Sequence, residues 1–341
     1  MTSSESIASN AALRRGMWTA LRLFLSCAAV AWVLHSIELG GVIAALQNAD
    51  PLLLTLGVLM NVATRFPAAE RTQVMNQGLG LSVSRWQTIE TLFISNFYAL
   101  LSPGPLLSGV VTVYRYRRFG ASITGSVSSL LASRAIECAV FLIWGFGCAL
   151  LDPRVIDHLQ NLRMRPGLTG AAVMLALIGI AAFVCVVMSR SSRDARSWDA
   201  AAVAYDLSGR RGILDKLGVV YAQILAQGPA VAVKAAIPAS LQVVISGGAM
   251  LVLARSLHTD ISWPTGVWMS SAVYAAVLLP ISIAGLGVRE VTLIKSFAML
   301  GLAPRTAVAL SVLLFLDQFV SAMIGGAMQI GSVLAHRRPA S

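Results

Sequence analysis

Six ionisable residues stand within or beside apolar segments of this chain, and they are the first candidates for chemistry. They are Arg134, Glu137, Arg289, Glu290, Lys295 and Asp317. Charged side chains at membrane depth are costly, so those that occur usually face a bundle interior or a cavity. Their formal charges balance, with three positive and three negative groups. The set therefore suits binding of a charged ligand or internal ion pairing.

Arg289 and Glu290 directly follow a glycine-rich break at Gly285 and Gly287. A short helix beginning there would direct unpaired backbone N–H groups and its positive end at a ligand. Arginine adds a planar fork of donors that matches phosphate oxygens. This pattern favours an anion site, with a phosphate head group as its ligand. Gly104, in an earlier break, and the two later glycines would permit positive φ and close backbone approach, although structural turns explain them equally well.

Two interpretations remain open for the other charges. Arg134 and Glu137, three residues apart on one helical face, form either an internal ion pair or part of the ligand site. Asp317 either balances Arg289 or Lys295, or takes part in proton coupling.

Familiar catalytic and cofactor motifs are missing from the sequence. It has no G-x-S-x-G nucleophile turn, no phosphate-binding P-loop and no clustered histidines or cysteines. The sequence therefore predicts no metal, no cofactor, no ATP hydrolysis and no enzymatic activity. Transport would need a gradient or a partner protein.

The composition places these residues in a membrane protein. Apolar residues make up 57% of the 341 residues and charged residues only 12%, against about 25% charged in soluble domains. Runs of about 20 apolar residues match the thickness of a bilayer. The net charge of +11 comes mostly from short segments flanking these runs, which favours cytoplasmic loops over nucleic-acid binding.

The hydropathy pattern predicts an all-α polytopic protein forming a single membrane domain over residues 1–341. About six full transmembrane helices are expected, at Trp18–Ser36, Pro51–Phe66, Thr124–Leu151, Leu168–Ser189, Lys234–Leu257 and Thr306–Leu334. Two further apolar segments, Thr88–Leu101 and Thr265–Ile283, each run into a Pro/Gly cluster. Such clusters break helices, so re-entrant or broken-helix hairpins are expected there.

Charge asymmetry sets the predicted orientation. Ser36–Asp50 carries no Lys or Arg, whereas Ser189–Lys216 carries six, so the second lies on the cytoplasmic side. The basic residues Arg115, Arg117 and Arg118 are interpreted as cytoplasmic anchors to anionic lipid, or as a funnel for substrate. Both termini are expected in the cytoplasm of a bacterium, with the chain in the inner membrane.

The pattern of two spans, a hairpin and one span occurs twice. The first repeat covers 18–151 and the second 168–334, and an odd number of crossings per half makes them an inverted repeat, as in alternating-access transporters. The connector, 190–233, is expected to be cytoplasmic. Within it, Ile213–Gln227 has the spacing of an amphipathic helix, or else extends the following span.

Several stretches resemble a known family. LPISIAGLGVREVTLIKSFAMLGLAPRTAVALSVLLFL is similar to the C-terminal signature of the lysylphosphatidylglycerol synthase transmembrane (flippase-like) family, and NFYALLSPG, YRYRRFG and SSLLASRAIE resemble its N-terminal counterpart. The positions that match the family pattern are Arg134, Pro280, Gly285, Gly287, Arg289 and Glu290. The resemblance implies movement of aminoacylated phosphatidylglycerol or glycolipids between leaflets.

The chain departs from that family at two points. Members often carry a Gly-Gly pair and then an arginine in the first break, where this sequence has Ser108, Gly109 and Thr112. The soluble aminoacyl-transferring domain of the full synthases does not follow the last span, so synthase activity is not expected.

The expected function is therefore that of a lipid flippase acting on an anionic phospholipid or glycolipid among the membrane lipids. Two alternatives remain. One is a membrane-embedded lipid-modifying transferase with Glu290 or Glu137 as its base, and the other is a non-transporting subunit that recruits a lipid synthase as partner. The sequence leaves the oligomeric state undetermined.

Overall fold

The computed structural model describes residues 39–100, 106–161, 223–224, 226–278, 285 and 287–336. Within these residues every regular element is a helix. The predicted spans Trp18–Ser36 and Leu168–Ser189, the glycine Gly104 and most of the connector 190–233 lie outside the described residues.

Eleven helices are named here in chain order. They are α1 Leu39–Gln47, α2 Pro51–Ala63, α3 Arg65–Gly78, α4 Arg85–Leu100, α5 Leu106–Arg118, α6 Ile123–Leu151, α7 Pro153–Asn161, α8 Gly228–Ser256, α9 Trp263–Leu278, α10 Val288–Met299 and α11 Pro304–His336.

Four helical segments of the described chain are long and apolar enough to cross a membrane. They are Pro51–Gly78, Ile123–Leu151, Gly228–Ser256 and Pro304–Ser332. Each overlaps one of the predicted spans, which supports a multi-pass membrane protein. The first runs twelve residues further than the predicted end at Phe66, because α2 passes into α3 at Thr64 with helical backbone angles.

Local sequence explains where the helices begin. Asp50 accepts hydrogen bonds from the N–H groups of Leu52 and Leu53 at 2.8 and 3.1 Å, while Pro51 occupies the first turn, where no donor is needed. Ser122 caps α6 in the same way, since its hydroxyl accepts from the N–H of Gly125 at 3.1 Å. At the start of both α2 and α6, backbone N–H groups of the first turn therefore donate to a side-chain oxygen before the apolar stretch begins.

The two apolar segments that end in Pro/Gly clusters each form a short helix followed by a second short helix. In the first half α4 packs on α5, and in the second half α9 packs on α10. The first short helix of each pair also packs along a long helix of the other half, α4 against α11 and α9 against α6. The long helix α8 packs against both α2 and α3.

Two glycines allow these cross-half contacts to be close. A Cβ atom at Gly145 of α6 would collide with the side chain of Ser271 in α9, and one at Gly325 of α11 would collide with the backbone carbonyl of Phe93 in α4. Ser271 and Phe93 are each the ninth residue of a 16-residue helix. The same close crossing therefore occurs at the same level in both halves, since small residues let helices approach.

We predict that Gly145→Ala destabilises the fold, because its added methyl group has no space against Ser271. Overpacking of this kind costs about 1–3 kcal/mol. Gly147→Ala is the matched control, since Gly147 lies in the same helix with open space around its Cα. Thermal unfolding in detergent should show a lower midpoint for Gly145→Ala alone. Equal midpoints for the two variants would contradict the contact.

Candidate functional site

Glu137 lies at the centre of a buried polar cluster formed by three long helices. Its carboxylate in α6 forms ion pairs with Arg71 of α3 at 3.1 Å and with Arg134, one turn earlier in α6, at 2.8 Å. The amide of Gln242 in α8 donates to the other carboxylate oxygen at 2.9 Å. The predicted ion pair between Arg134 and Glu137 is thus present, as part of a larger group. We call Arg71, Arg134, Glu137 and Gln242 the central cluster.

Arg71 is the member of this cluster that the sequence analysis missed. Its guanidinium donates to Gln242 at 2.5 Å and to the hydroxyl of Ser133 at 3.1 Å, besides pairing with Glu137. The predicted span ended at Phe66, which left Arg71 outside every predicted span. The useful signal was a run of polar residues directly after that span, of which the structure buries Arg71, Thr72, Gln73 and Asn76.

Arg134 differs from its partners in being accessible. About 49% of its side chain is exposed, whereas the side chains of Arg71 and Glu137 are each 3% exposed. Tyr274 of α9 lies beside the Arg134 guanidinium and the Glu137 carboxylate, and its ring stacks on Phe141 with 4.3 Å between centroids. The cluster therefore presents one cation at the surface of a membrane-spanning helix.

The central cluster has a net positive charge. It contains two guanidinium groups and one carboxylate, and its remaining member is a neutral amide. In a low-dielectric interior an uncompensated charge is costly. Binding of one anion at the exposed side of Arg134 would compensate that charge.

Arg289 and Glu290 form a second buried group at the start of α10. The Arg289 Nε donates to the hydroxyl of Ser311 in α11 at 2.9 Å, and its terminal nitrogen pairs with Glu290 at 3.1 Å. Ser311 in turn donates to Glu290 at 2.6 Å. The Arg289 guanidinium also lies over the ring of Phe315, 5.6 Å from the centroid. These contacts fasten α10 to α11.

Part of the predicted anion site at this helix start already has a protein partner. The N–H of Gly287 donates to the Glu290 carboxylate at 2.6 Å, and the N–H of Arg289 donates to the carbonyl of Gly285 at 3.1 Å. The carboxylate of Glu290 thus occupies the position where a ligand anion was expected. Gly285 and Gly287 have φ of +77° and +83°, the positive backbone angles that the sequence analysis said these glycines would permit.

Lys295 and Asp317 do not join either group. Lys295 is exposed on α10 and has no hydrogen bond or ion pair within the described residues. Asp317 is buried in α11, yet it forms no ion pair with Arg289 or Lys295 in the part of the chain that the structure describes. Arg289 nevertheless acts on Asp317 electrostatically, so the interpretation that Asp317 balances Arg289 or Lys295 stays a prediction.

The basic segment at the end of α5 divides into buried and exposed residues. Arg115, expected to be a solvated anchor, is instead buried and pairs with Glu90 of α4 at 2.7 Å. Its guanidinium also lies over Phe119, 5.6 Å from the ring centroid. Arg117 and Arg118 are exposed. Arg115 thus connects α5 to α4, and of these three arginines Arg117 and Arg118 remain available to lipid.

Thr112 stands where the family resemblance places an arginine. It is buried, and its hydroxyl shares a hydrogen bond of 2.8 Å with Ser95 of α4. Among the described residues no group of three or more His, Cys, Asp or Glu side chains is arranged to hold a metal ion.

We predict that Glu137→Gln destabilises the folded protein, because it leaves the buried guanidinium of Arg71 beside a neutral amide. Loss of one partner of a buried ion pair costs about 3–5 kcal/mol. Glu70→Gln is the control, since Glu70 pairs with Arg85 in the open and such pairs contribute about 0–1 kcal/mol. Denaturant or thermal unfolding in micelles would measure both. A Glu137 variant as stable as the Glu70 variant would contradict the central role of this carboxylate.

Comparison with known proteins agrees with this membrane architecture. A family model described as lysylphosphatidylglycerol synthase TM region matches residues 19–326, which is most of the chain. No curated protein matches at a significant level. The matched region includes the central cluster, the glycine break and the pair Arg289 and Glu290. The chain belongs to the lysylphosphatidylglycerol synthase TM region family.

Proposed function

We propose that this protein is a flippase that moves an anionic phospholipid or glycolipid between the leaflets of a membrane. The observation that carries the proposal is Arg134, whose side chain is half exposed on a membrane-spanning helix and belongs to a cluster that has one cation more than it has anions. A phosphate monoanion supplies the missing charge. Arginine binds phosphate through two parallel hydrogen bonds, which would fix the head group in orientation as well as position.

A lipid suits the position of Arg134 better than a small soluble anion. The helix that carries it exposes apolar side chains on the same side, including Leu131 and Leu142. A head group at Arg134 could therefore keep its acyl chains against α6 and in the surrounding lipid. The family match also supports a role in lipid synthesis or translocation.

Movement of the head group would follow from rocking of two inverted halves. In this proposal α2 with α3 corresponds to α8, α4 to α9, α5 to α10, and α6 to α11. The close crossings at Gly145 and Gly325 support the correspondence. The helix packing supports it too, because α4 packs on α11 and α9 packs on α6. Each short helix thus lies on the last long helix of the other half. The two pairs of short helices would act as re-entrant hairpins that flank the path.

Arg289 has a supporting role in this mechanism. Its guanidinium is engaged by Glu290, Ser311 and Phe315, so it holds α10 on α11 in the state described. A change in that packing would free it to contact the lipid in the opposite-facing state. The proposal places Lys295, Gly104, Gly285 and Gly287 beside that path.

The protein would move its lipid without changing it chemically. The Glu137 carboxylate is held by two guanidinium groups and an amide, and Glu290 is held by Arg289, Ser311 and a backbone N–H. Neither carboxylate is free to act as a general base. The proposal also places the chain in a bacterial inner membrane with both termini cytoplasmic, on the distribution of Arg and Lys, and allows a lipid synthase as partner.

We predict that Arg134→Gln slows translocation of a labelled anionic phospholipid by at least tenfold, since one charge-assisted contact of about 1.5–3 kcal/mol is lost. Proteoliposomes with a fluorescent phosphatidylglycerol and a membrane-impermeant quencher would measure the initial rate. Arg85→Gln is the control, because Arg85 is exposed and pairs only with Glu70. Arg289→Ala should also slow the rate.

Three results would contradict the proposed function. They are equal rates with and without protein, equal rates for Arg134→Gln and Arg85→Gln, and chemical conversion of the lipid seen by mass spectrometry. The last result would favour the transferase interpretation. A zwitterionic phospholipid in a parallel assay would show whether the net charge of the head group matters.

A further inference from the structure

Asp317 is a buried carboxyl group that accepts no hydrogen bond from the described residues. It lies in the membrane-spanning part of α11 with 8% of its surface exposed. Its Oδ1 atom is fully buried and accepts no hydrogen bond from any described residue. An ionised carboxylate in such surroundings is costly, because neither water nor a donor compensates its charge.

Two further buried polar atoms, one on Arg65 and one on Ser321, also lack a hydrogen-bond partner among the described residues. The Nε of Arg65, at the junction of α2 and α3, is buried and has no partner among the described residues, and the same is true of the Ser321 hydroxyl. Ser321 lies one helical turn after Asp317, on the same face of α11. Arg65 is within electrostatic range of Asp317, although the two groups form no ion pair. The carboxyl group, the guanidinium and the hydroxyl therefore form an unsatisfied polar site.

The other charged groups of the described helices around α11 form hydrogen bonds or ion pairs with other residues, or are exposed. Arg289 of α10 also acts on Asp317 electrostatically, but its donors are taken by Glu290 and Ser311. Lys295 of α10 is exposed. From α4, Glu90 pairs with Arg115.

Among the described cations of the neighbouring helices, Arg65 acts most strongly on Asp317. Tyr98 of α4 packs edge-on against Phe97, and the exposed Arg85 pairs with Glu70. The α1 segment LGGVIAALQ has no ionisable side chain. From α8, Arg255 pairs with Asp260 in the open, and Lys234 is exposed.

The corresponding position in the first half shows what is unusual here. Glu137 precedes Gly145 by eight residues in α6, and Asp317 precedes Gly325 by eight residues in α11. The two glycines make equivalent crossings. Glu137 has three partners, two of them cationic, whereas Asp317 has no ion pair or hydrogen bond with the part of the chain that is described. One half thus holds a stable carboxylate, and the other holds a carboxyl group that a proton can neutralise.

We propose that Asp317 is a proton-binding site that couples lipid translocation to the transmembrane proton gradient; this rests on the proposed function. A proton from water binds the carboxylate oxygen and gives the neutral acid, with no other bond made or broken. Arg65 then loses its nearby negative charge, and its Nε–H is free to donate to a phosphate oxygen of the lipid. Deprotonation on the other side restores the carboxylate and displaces the phosphate from Arg65.

The proton site is tested without any transport assay. Infrared difference spectra of purified protein, between acidic and alkaline buffer, should show the carbonyl stretch of a buried protonated carboxyl group. Asp317→Asn should remove this band, and Asp317→Glu should keep it at a shifted frequency. Asp260→Asn is the control, since Asp260 is exposed, and it should leave the band unchanged. A band that persists in Asp317→Asn, or no band in the wild type, would overturn the proposal.

Coupling is tested in proteoliposomes that contain fluorescent phosphatidylglycerol and an internal pH dye. An imposed proton gradient should raise the initial rate of lipid movement several-fold, and added lipid should cause proton flux. Both effects should be lost in Asp317→Asn and retained in Asp260→Asn. Lipid movement that ignores the gradient would overturn the coupling and leave the flippase function standing. No movement of any lipid would overturn both, even if the infrared band identifies the proton site.

Discussion

The ion pairs of Glu137 are the interaction on which the described structure most depends. They join α3 to α6, and the amide of Gln242 adds α8 to the same point. Burying such a group has a large desolvation cost, and an apolar replacement is often at least as stable. What the ion pairs supply is a fixed register of three long helices, since a shift of either partner would leave a charge unpaired. The same register keeps Arg134 at the exposed edge of the cluster.

The rest of the site follows from how the two halves meet. Close crossings at Gly145 and Gly325 bring each short helix onto the opposite half, so that polar residues from distant parts of the chain share one interior. The carboxyl groups eight residues before these two glycines differ in their surroundings. Glu137 is surrounded by donors, whereas Asp317 has a buried oxygen without one. This asymmetry is what a transporter that binds an anion in one half and responds to a second ligand in the other would need.

Some of these features could be predicted from local sequence, and others could not. The pair Arg134 and Glu137 was found because three-residue spacing places both on one helical face. The positive φ of Gly285 and Gly287 followed from a glycine-rich break between two apolar segments. Arg71 was missed because it lies in a polar stretch beyond Phe66, where hydropathy alone ends the predicted span. Burial of Arg115 was missed for a related reason, since its partner Glu90 lies 25 residues away in another helix.

Taken alone, the sequence determined that the chain crosses a membrane several times, roughly where the long helices of the described residues lie, and that charges such as Arg134, Glu137 and Asp317 stand within them. Those properties depend on hydropathy and on near neighbours, which are written in order along the chain. The tertiary structure decided which charged groups form ion pairs and which do not. Three features depend on contacts between helices that are distant in sequence. Arg71 pairs with Glu137, Arg289 donates to Ser311 beside Glu290, and Asp317 accepts no hydrogen bond from the described residues. At membrane depth, where water cannot substitute for a partner, those contacts determine which charge remains available to a ligand.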